Sequence, residues 1–181
     1  MILFFGPPGS GKSVQGQLLV ERNGWQWLST GQMFRDSKDP QVLAHLASGE
    51  LIDDELTNKV VDDALHKADD DNRVVLDGYP RNPAQAAWLD DHLPKHGREI
   101  KAIICFETPR EELIKRLAGR GRTEDSPAVI EKRLNIYHQN TKPILDFYRE
   151  QGVQICEIDG VGDVEEVHNR IQKAIDECSR A

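Results

Sequence analysis

Short apolar runs recur at residues 1–5, 26–28, 73–77, 101–106 and 153–158, and none shows the clean alternation of a strand with one wet face. Strands of this kind are covered on both sides, so the pattern predicts a parallel sheet. Helices are predicted over 12–22, 40–48, 54–68, 83–93, 109–119, 127–150 and 164–179, several with recognisable punctuation. Asp39 before Pro40 and Ser126 before Pro127 are opening signals, and Gly49 is a stop. In the last helix Val164, Val167, Ile171, Ala174, Ile175 and Cys178 keep to one face, with Asp163, Glu165 and Glu166 in its first turn. That face is expected to dock on the core. Strand and helix alternate throughout, which makes the fold class α/β.

The rhythm breaks over residues 30–60, where two short helices replace a strand, so this stretch is the candidate for an inserted lobe. The polar run from Lys67 to Arg73, containing Asp69, Asp70 and Asp71, predicts a solvated turn back into the sheet. With 181 residues the chain fits a single domain around one main core, and no repeat or low-complexity tract divides it.

Composition narrows the function. No apolar run approaches the length that crosses a bilayer, and the opening Met1 to Phe5 is too short for a secretory signal, so a cytoplasmic protein is expected. Cys105, Cys156 and Cys178 are widely spaced and form no C-x-x-C pair for zinc or redox chemistry. A net charge of −8 argues against a nucleic-acid surface, which draws affinity from clustered cations. A polyanionic ligand would need positive charge concentrated locally.

Such a concentration begins in the first loop. Gly6-Pro7-Pro8-Gly9-Ser10-Gly11-Lys12-Ser13 satisfies G-x-x-x-x-G-K-[ST] between a predicted strand and a predicted helix. Its backbone N–H groups can turn inward onto phosphate oxygens, and the following helix adds its positive end. Lys12 is placed to reach the transferable phosphates, and Ser13 supplies the hydroxyl expected on Mg²⁺. The loop alone specifies a nucleoside triphosphate and not what happens to it.

Downstream, Leu76-Asp77-Gly78-Tyr79-Pro80-Arg81 with Gln85 resembles the L-D-G-[FY]-P-R-x-x-x-Q signature of adenylate kinases. The resemblance extends in order through Leu28-Ser29-Thr30-Gly31 with Arg35, Gly49 to Asp54, Arg116-Leu117 with Arg120, Arg122 with Asp125, and Lys132-Arg133-Leu134. It implies a P-loop NTPase-type three-layer sandwich with a five-stranded parallel sheet, residues 30–60 as the acceptor-binding insertion, and a very short lid over 120–126. The implied reaction is reversible transfer of the terminal phosphoryl group of Mg-ATP to AMP by a cytoplasmic monomer.

For the donor side, the resemblance implies ATP contacts from Gly9, Ser10, Gly11, Lys12, Ser13, Val14, Arg116, Arg120 and Gly162. For the acceptor side it implies Thr30, Arg35, Glu50, Leu51, Ile52, Gly78, Tyr79, Pro80, Arg81 and Gln85, with Arg122 and Arg133 bridging the reacting phosphates. Lys12, Asp77, Arg81, Arg116, Arg122 and Arg133 form the implied catalytic set, with Ser13 and Asp77 serving Mg²⁺, partly through water. Guanidinium forks suit phosphate oxygens, and Arg116 and Arg120, four apart, share a helix face.

The chain departs from the family in three places. Gly11-Lys12-Ser13-Val14 stands where the family generally writes Gly-Lys-Gly-Thr, and Gln32 replaces the usual acid. Only Gly121 separates Arg120 from Arg122, which leaves no room for the four-cysteine zinc site of long-lid relatives, so no structural zinc is expected. A kinase of another acceptor, such as UMP or CMP, and a nucleotide sensor without turnover are the alternatives.

Overall fold

The computed structural model describes residues 1–68 and 73–178. Five strands, β1 (Ile2–Phe5), β2 (Gln26–Ser29), β3 (Val74–Asp77), β4 (Ala102–Glu107) and β5 (Gln154–Asp159), pair in parallel in the order β2-β3-β1-β4-β5. Every residue of β1 and β3 is buried, as the unbroken apolar runs require of central strands. The eight α-helices among the described residues are α1 (Lys12–Asn23), α2 (Thr30–Asp36), α3 (Pro40–Ser48), α4 (Asp54–Lys67), α5 (Pro83–His92), α6 (Arg110–Arg120), α7 (Pro127–Glu150) and α8 (Val164–Cys178).

Alternate residues of the sheet feed two cores. Leu3, Phe5, Leu76 and Ile103 pack on Val61 and Leu65 of α4, Leu89 of α5, and Ile144 and Tyr148 of α7. Ile2, Phe4, Val75 and Ile104 pack on Leu19 of α1 and on Val167, Ile171 and Ile175 of α8. The result is a three-layer sandwich, and the α8 face seen in the sequence docks through Val167, Ile171, Ala174 and Ile175, with Cys178 partly buried against them, whereas Val164 at the start of the helix is 48% exposed.

Strand and helix bounds agree with expectation to within two residues, with two additions. A short α2 forms directly after β2 because the Ser29 hydroxyl accepts from the Gln32 N–H. Seven residues containing a glycine carry too little periodicity to predict it. A 3-10 turn, Leu93–His96, follows α5. At α3 the Asp39 carboxylate caps Gln41, whereas Ser126 precedes α7 without a side-chain cap bond. Of the predicted turn from Lys67 to Arg73, residues 69–72 lie outside the described residues, as does residue 179 at the end of α8.

Candidate active site

The carboxyl ends of β1 and β3 open into one cleft of about 700 Å³, at the sheet edge where open α/β folds collect their ligands. Its floor is the glycine loop. Gly9 has φ +87° and Gly11 has φ +99°, a region that L side chains rarely enter. A Cβ on Gly9 would also fall 2.9 Å from Leu117 Cγ of α6, so backbone must pass there.

Lys12 folds back over this loop. Its Nζ donates to Gly6 O at 2.6 Å, Pro7 O at 3.0 Å and Ser10 Oγ at 3.3 Å. Burial lowers its pKa to about 8 against the attraction of Asp77, with Arg81 and Arg133 lowering it further. Ser10, Ser13, Val14 and Gly162 line the same cleft. The Arg116 guanidinium is positioned by two acceptors, Glu112 Oε1 at 2.8 Å and Gly160 O at 3.1 Å.

On the opposite wall the short segment after α6 is stapled rather than loose. Asp125, whose side chain is 3% exposed, accepts from Arg120 Nε at 2.9 Å, Arg120 Nη2 at 2.5 Å and the Arg122 backbone N–H at 3.0 Å. Burial alone would raise its pKa, but these bonds and the charges of Arg120 and Arg133 hold it below the ordinary carboxylate range. Glu124, also buried, reaches Arg35 Nη1 at 3.7 Å and Arg122 Nη1 at 3.9 Å. Two carboxylates therefore face an excess of guanidinium. Arg133 Nη1 is buried without a hydrogen-bond partner, 3.6 Å from Asp125 Oδ1, and burial followed by Arg120 and Arg81 lowers its pKa to about 10. An unpaired buried N–H of this kind asks for an anion.

Arg35 is steadied by Gln32, whose Oε1 accepts from Arg35 Nη2 at 3.1 Å while its Nε2 donates to Asp36. The neutral amide at position 32 thus orients the guanidinium without cancelling its charge. Arg81 Nε donates to Gly78 O at 2.6 Å beyond a cis Tyr79-Pro80 bond. Gly78, Tyr79, Pro80, Leu51 and Glu50 also line the cleft, the last with its carboxylate on Lys132 Nζ at 2.8 Å.

Three expected acceptor residues stand behind this lining. Ile52 is half-buried outside it. Thr30 is buried, with Oγ1 donating to Gly78 O at 2.9 Å. Gln85 is buried, its Oε1 accepting from the Arg81 N–H at 2.7 Å and its Nε2 donating to Asp54 Oδ1 at 2.7 Å.

Sequence reasoning did not single out Glu124, Glu112 or the inner face of α7, where Ile136, Tyr137, Asn140, Thr141 and Ile144 line the cleft beside Arg133. The three-and-four spacing from Arg133 to Ile144 was a readable signal for that face.

A phosphate-cradling loop with its lysine, set across a cleft from a cluster of arginines on a five-stranded parallel sheet, defines a P-loop phosphotransferase. Residues 4–153 match the sequence profile of the family described as Adenylate kinase. The chain is 38% identical to the adenylate kinase of Mycobacterium tuberculosis over 180 residues, covering 96% of this chain and 98% of that protein. It is 37% identical to the adenylate kinase of Pseudarthrobacter chlorophenolicus over 184 residues, with 96% and 95% covered, and 39% to that of Mycolicibacterium vanbaalenii, with 96% and 98% covered. The chain belongs to the adenylate kinase family.

Proposed function

We propose that this enzyme reversibly transfers the terminal phosphoryl group of Mg-ATP to AMP, with the donor over the glycine loop and the acceptor between residues 30–60 and Arg81. One observation carries the reading. In a chain of net charge −8, Lys12, Arg35, Arg81, Arg120, Arg122 and Arg133 converge on one cleft, and a guanidinium N–H there lacks an acceptor.

Transfer forms a bond from an AMP phosphate oxygen to the γ-phosphorus and breaks that atom's bond to the β-phosphate bridging oxygen, in line and without a covalent enzyme intermediate. The protein's task is to hold two anions together and neutralise charge spreading over the moving group. Lys12 serves the β and γ oxygens, Arg122 and Arg133 bridge the reacting phosphates, and Arg35 and Arg81 hold the acceptor phosphate. Arg116 and Arg120, with Gly162 near the base, hold ATP.

Adenylate kinases use Mg²⁺ with ATP. Asp77 and Ser13 fit it: a buried carboxylate and a hydroxyl both line the cleft beside the loop, and Mg²⁺ is commonly held by one or two carboxylates plus substrate phosphates and water. When bound it adds neutralisation of phosphate charge. Among the described residues no group of three or more His, Cys, Asp or Glu is arranged to hold a metal.

Closure over the phosphates we assign to the lobe at residues 30–60, because Asp125 already ties residues 120–126 into a closed turn. For Gln85 to offer its Nε2 to the adenine edge it must exchange its bond to Asp54 for one to the base, while its Oε1 stays on the Arg81 N–H. Initial-rate assays of ADP formation with ATP and AMP, CMP or UMP test the proposal. Preference for AMP is expected; equal specificity constants for AMP and UMP would move the acceptor assignment to the pyrimidine monophosphates, and no transfer to any monophosphate would overturn the reading.

A further inference from the structure

The glycine loop is followed by an unexpected pairing of the smallest and largest side chains. Gly16, inside α1, carries no Cβ, and one added there would lie 2.5 Å from Trp27 Cδ1 and 2.6 Å from Trp27 Nε1. A glycine in a helix interior costs about 1 kcal/mol relative to alanine, so this position favours the indole at the expense of the helix. Trp27 lies on the edge strand β2, opposite Val75 of β3, and two residues along β3 is Asp77, on the same face. Seated beneath α1, the indole directs its N–H along the sheet toward that carboxylate. Trp27 Nε1 donates to Asp77 Oδ2 at 3.3 Å.

Asp77 is buried, and among the described residues Trp27 is the one side chain that donates to its carboxylate. One carboxylate oxygen is thereby occupied, leaving the other for the cleft. The donor is neutral, so it fixes orientation without cancelling the charge that attracts a cation, as Lys or Arg in its place would. Both partners of the indole belong to elements that end at the phosphate site: α1 begins at Lys12, and β3 ends at Asp77.

We infer that Trp27 is a positioning residue for the metal site, its indole N–H holding the Asp77 carboxylate in the orientation that receives water-bound Mg²⁺, with Gly16 as the socket that seats the ring. The inference rests on the assignment of Asp77 to Mg²⁺ made above. Removing a hydrogen bond that orients a metal-serving group lowers metal affinity or activity by about tenfold to a hundredfold. Trp27→Phe, which keeps an aromatic ring in the socket and deletes the donor, is therefore expected to raise the Mg²⁺ concentration for half-maximal rate about tenfold at saturating nucleotides, with the KM for AMP unchanged. Gly16→Ala, which displaces the ring, should do the same. The double variant should be no worse than either single one, since both disable one device. Trp25→Phe, on the same edge of the sheet but without a bond to Asp77, should behave as wild type.

A second measurement needs neither activity nor a stable Trp27 variant. In ¹H–¹⁵N spectra of the wild-type protein without metal or nucleotide, the Trp27 indole resonance is expected downfield of those of Trp25 and Trp88, and Asp77→Ala should move it upfield. An unchanged Mg²⁺ requirement in a folded Trp27→Phe protein, or an indole resonance indifferent to Asp77→Ala, overturns the inference while leaving the metal assignment intact. A wild-type Mg²⁺ requirement in Asp77→Ala would instead remove the metal assignment itself.

Discussion

Lys12 couples nucleotide binding to protons, and the size of the effect follows from its surroundings. In the free protein burial, followed by the nearby charges of Arg81 and Arg133, lowers its pKa from 10.5 to about 8. Phosphate oxygens favour the charged form, so binding ATP returns the pKa upward, and above pH 8 the complex holds a proton that the free protein has lost. If the bound form stays protonated, affinity is flat below pH 7 and weakens about tenfold at pH 9, where some nine-tenths of the free protein must first take up a proton. Water at the open face of the cleft screens the site, so tenfold is the upper end of the expected change. Calorimetric titration with a non-hydrolysable ATP analogue in buffers of different ionisation enthalpy measures the uptake, expected near zero at pH 6.5 and approaching one proton at pH 9. Lys12→Met should abolish the uptake and lower transfer by several orders of magnitude while the fold remains. The stability sign is opposite in sense: the unfolded chain keeps its proton between pH 8 and 10.5, so burial of this group weighs against the free protein below pH 8 and is relieved as pH rises through that window. Affinity that is constant from pH 7 to 9, or proton uptake that survives Lys12→Met, would refute the assignment of Lys12 to the phosphates.

Glu124→Gln leaves Arg35 and Arg122 facing each other without their shared carboxylate, and should destabilise the free protein by about 2 kcal/mol. Saturating ADP should erase most of that deficit in thermal melts, because phosphates supply the missing charge; an equal deficit with and without ADP would show that Glu124 does not stand where phosphate binds. His168, buried with Nδ1 donating to Gln15 Oε1 at 3.1 Å, has its pKa lowered by burial and by Arg22. A depressed imidazole supports the fold fully above pH 6.5 and progressively less as pH falls through the lowered value, so melting between pH 7.5 and 5 should decline less in His168→Gln than in wild type. Gln85→Ala should lower the preference for AMP over UMP about tenfold or more by removing paired polar contacts to the base, measured as a ratio of specificity constants. An unchanged ratio would confine Gln85 to bracing Arg81.

What the sequence determined by itself is what short-range rules govern. Buried parallel strands read as unbroken apolar runs, and the loop from Gly6 to Ser13 is one contiguous unit whose spacing carries its chemistry, so both were legible from neighbouring residues. The ends of α3 and α7 were legible for the same reason, since Pro40, Gly49 and Pro127 act through local backbone geometry. Cations from separate elements could be gathered into one family pattern by motif, yet only the tertiary structure decides which anions meet them. That Glu124 reaches both Arg35 and Arg122 depends on how α2 and the turn after α6 pack against each other, and no local pattern encodes that distance. Gln85 faces Asp54 across 31 positions of sequence, and Trp27 reaches Asp77 across 50. A side chain's partners in such contacts are set by which face of each element the core turns inward. Gly16 shows the difference most directly: in sequence it is a weak point in a helix, and only beside the Trp27 ring does the missing Cβ acquire a reason.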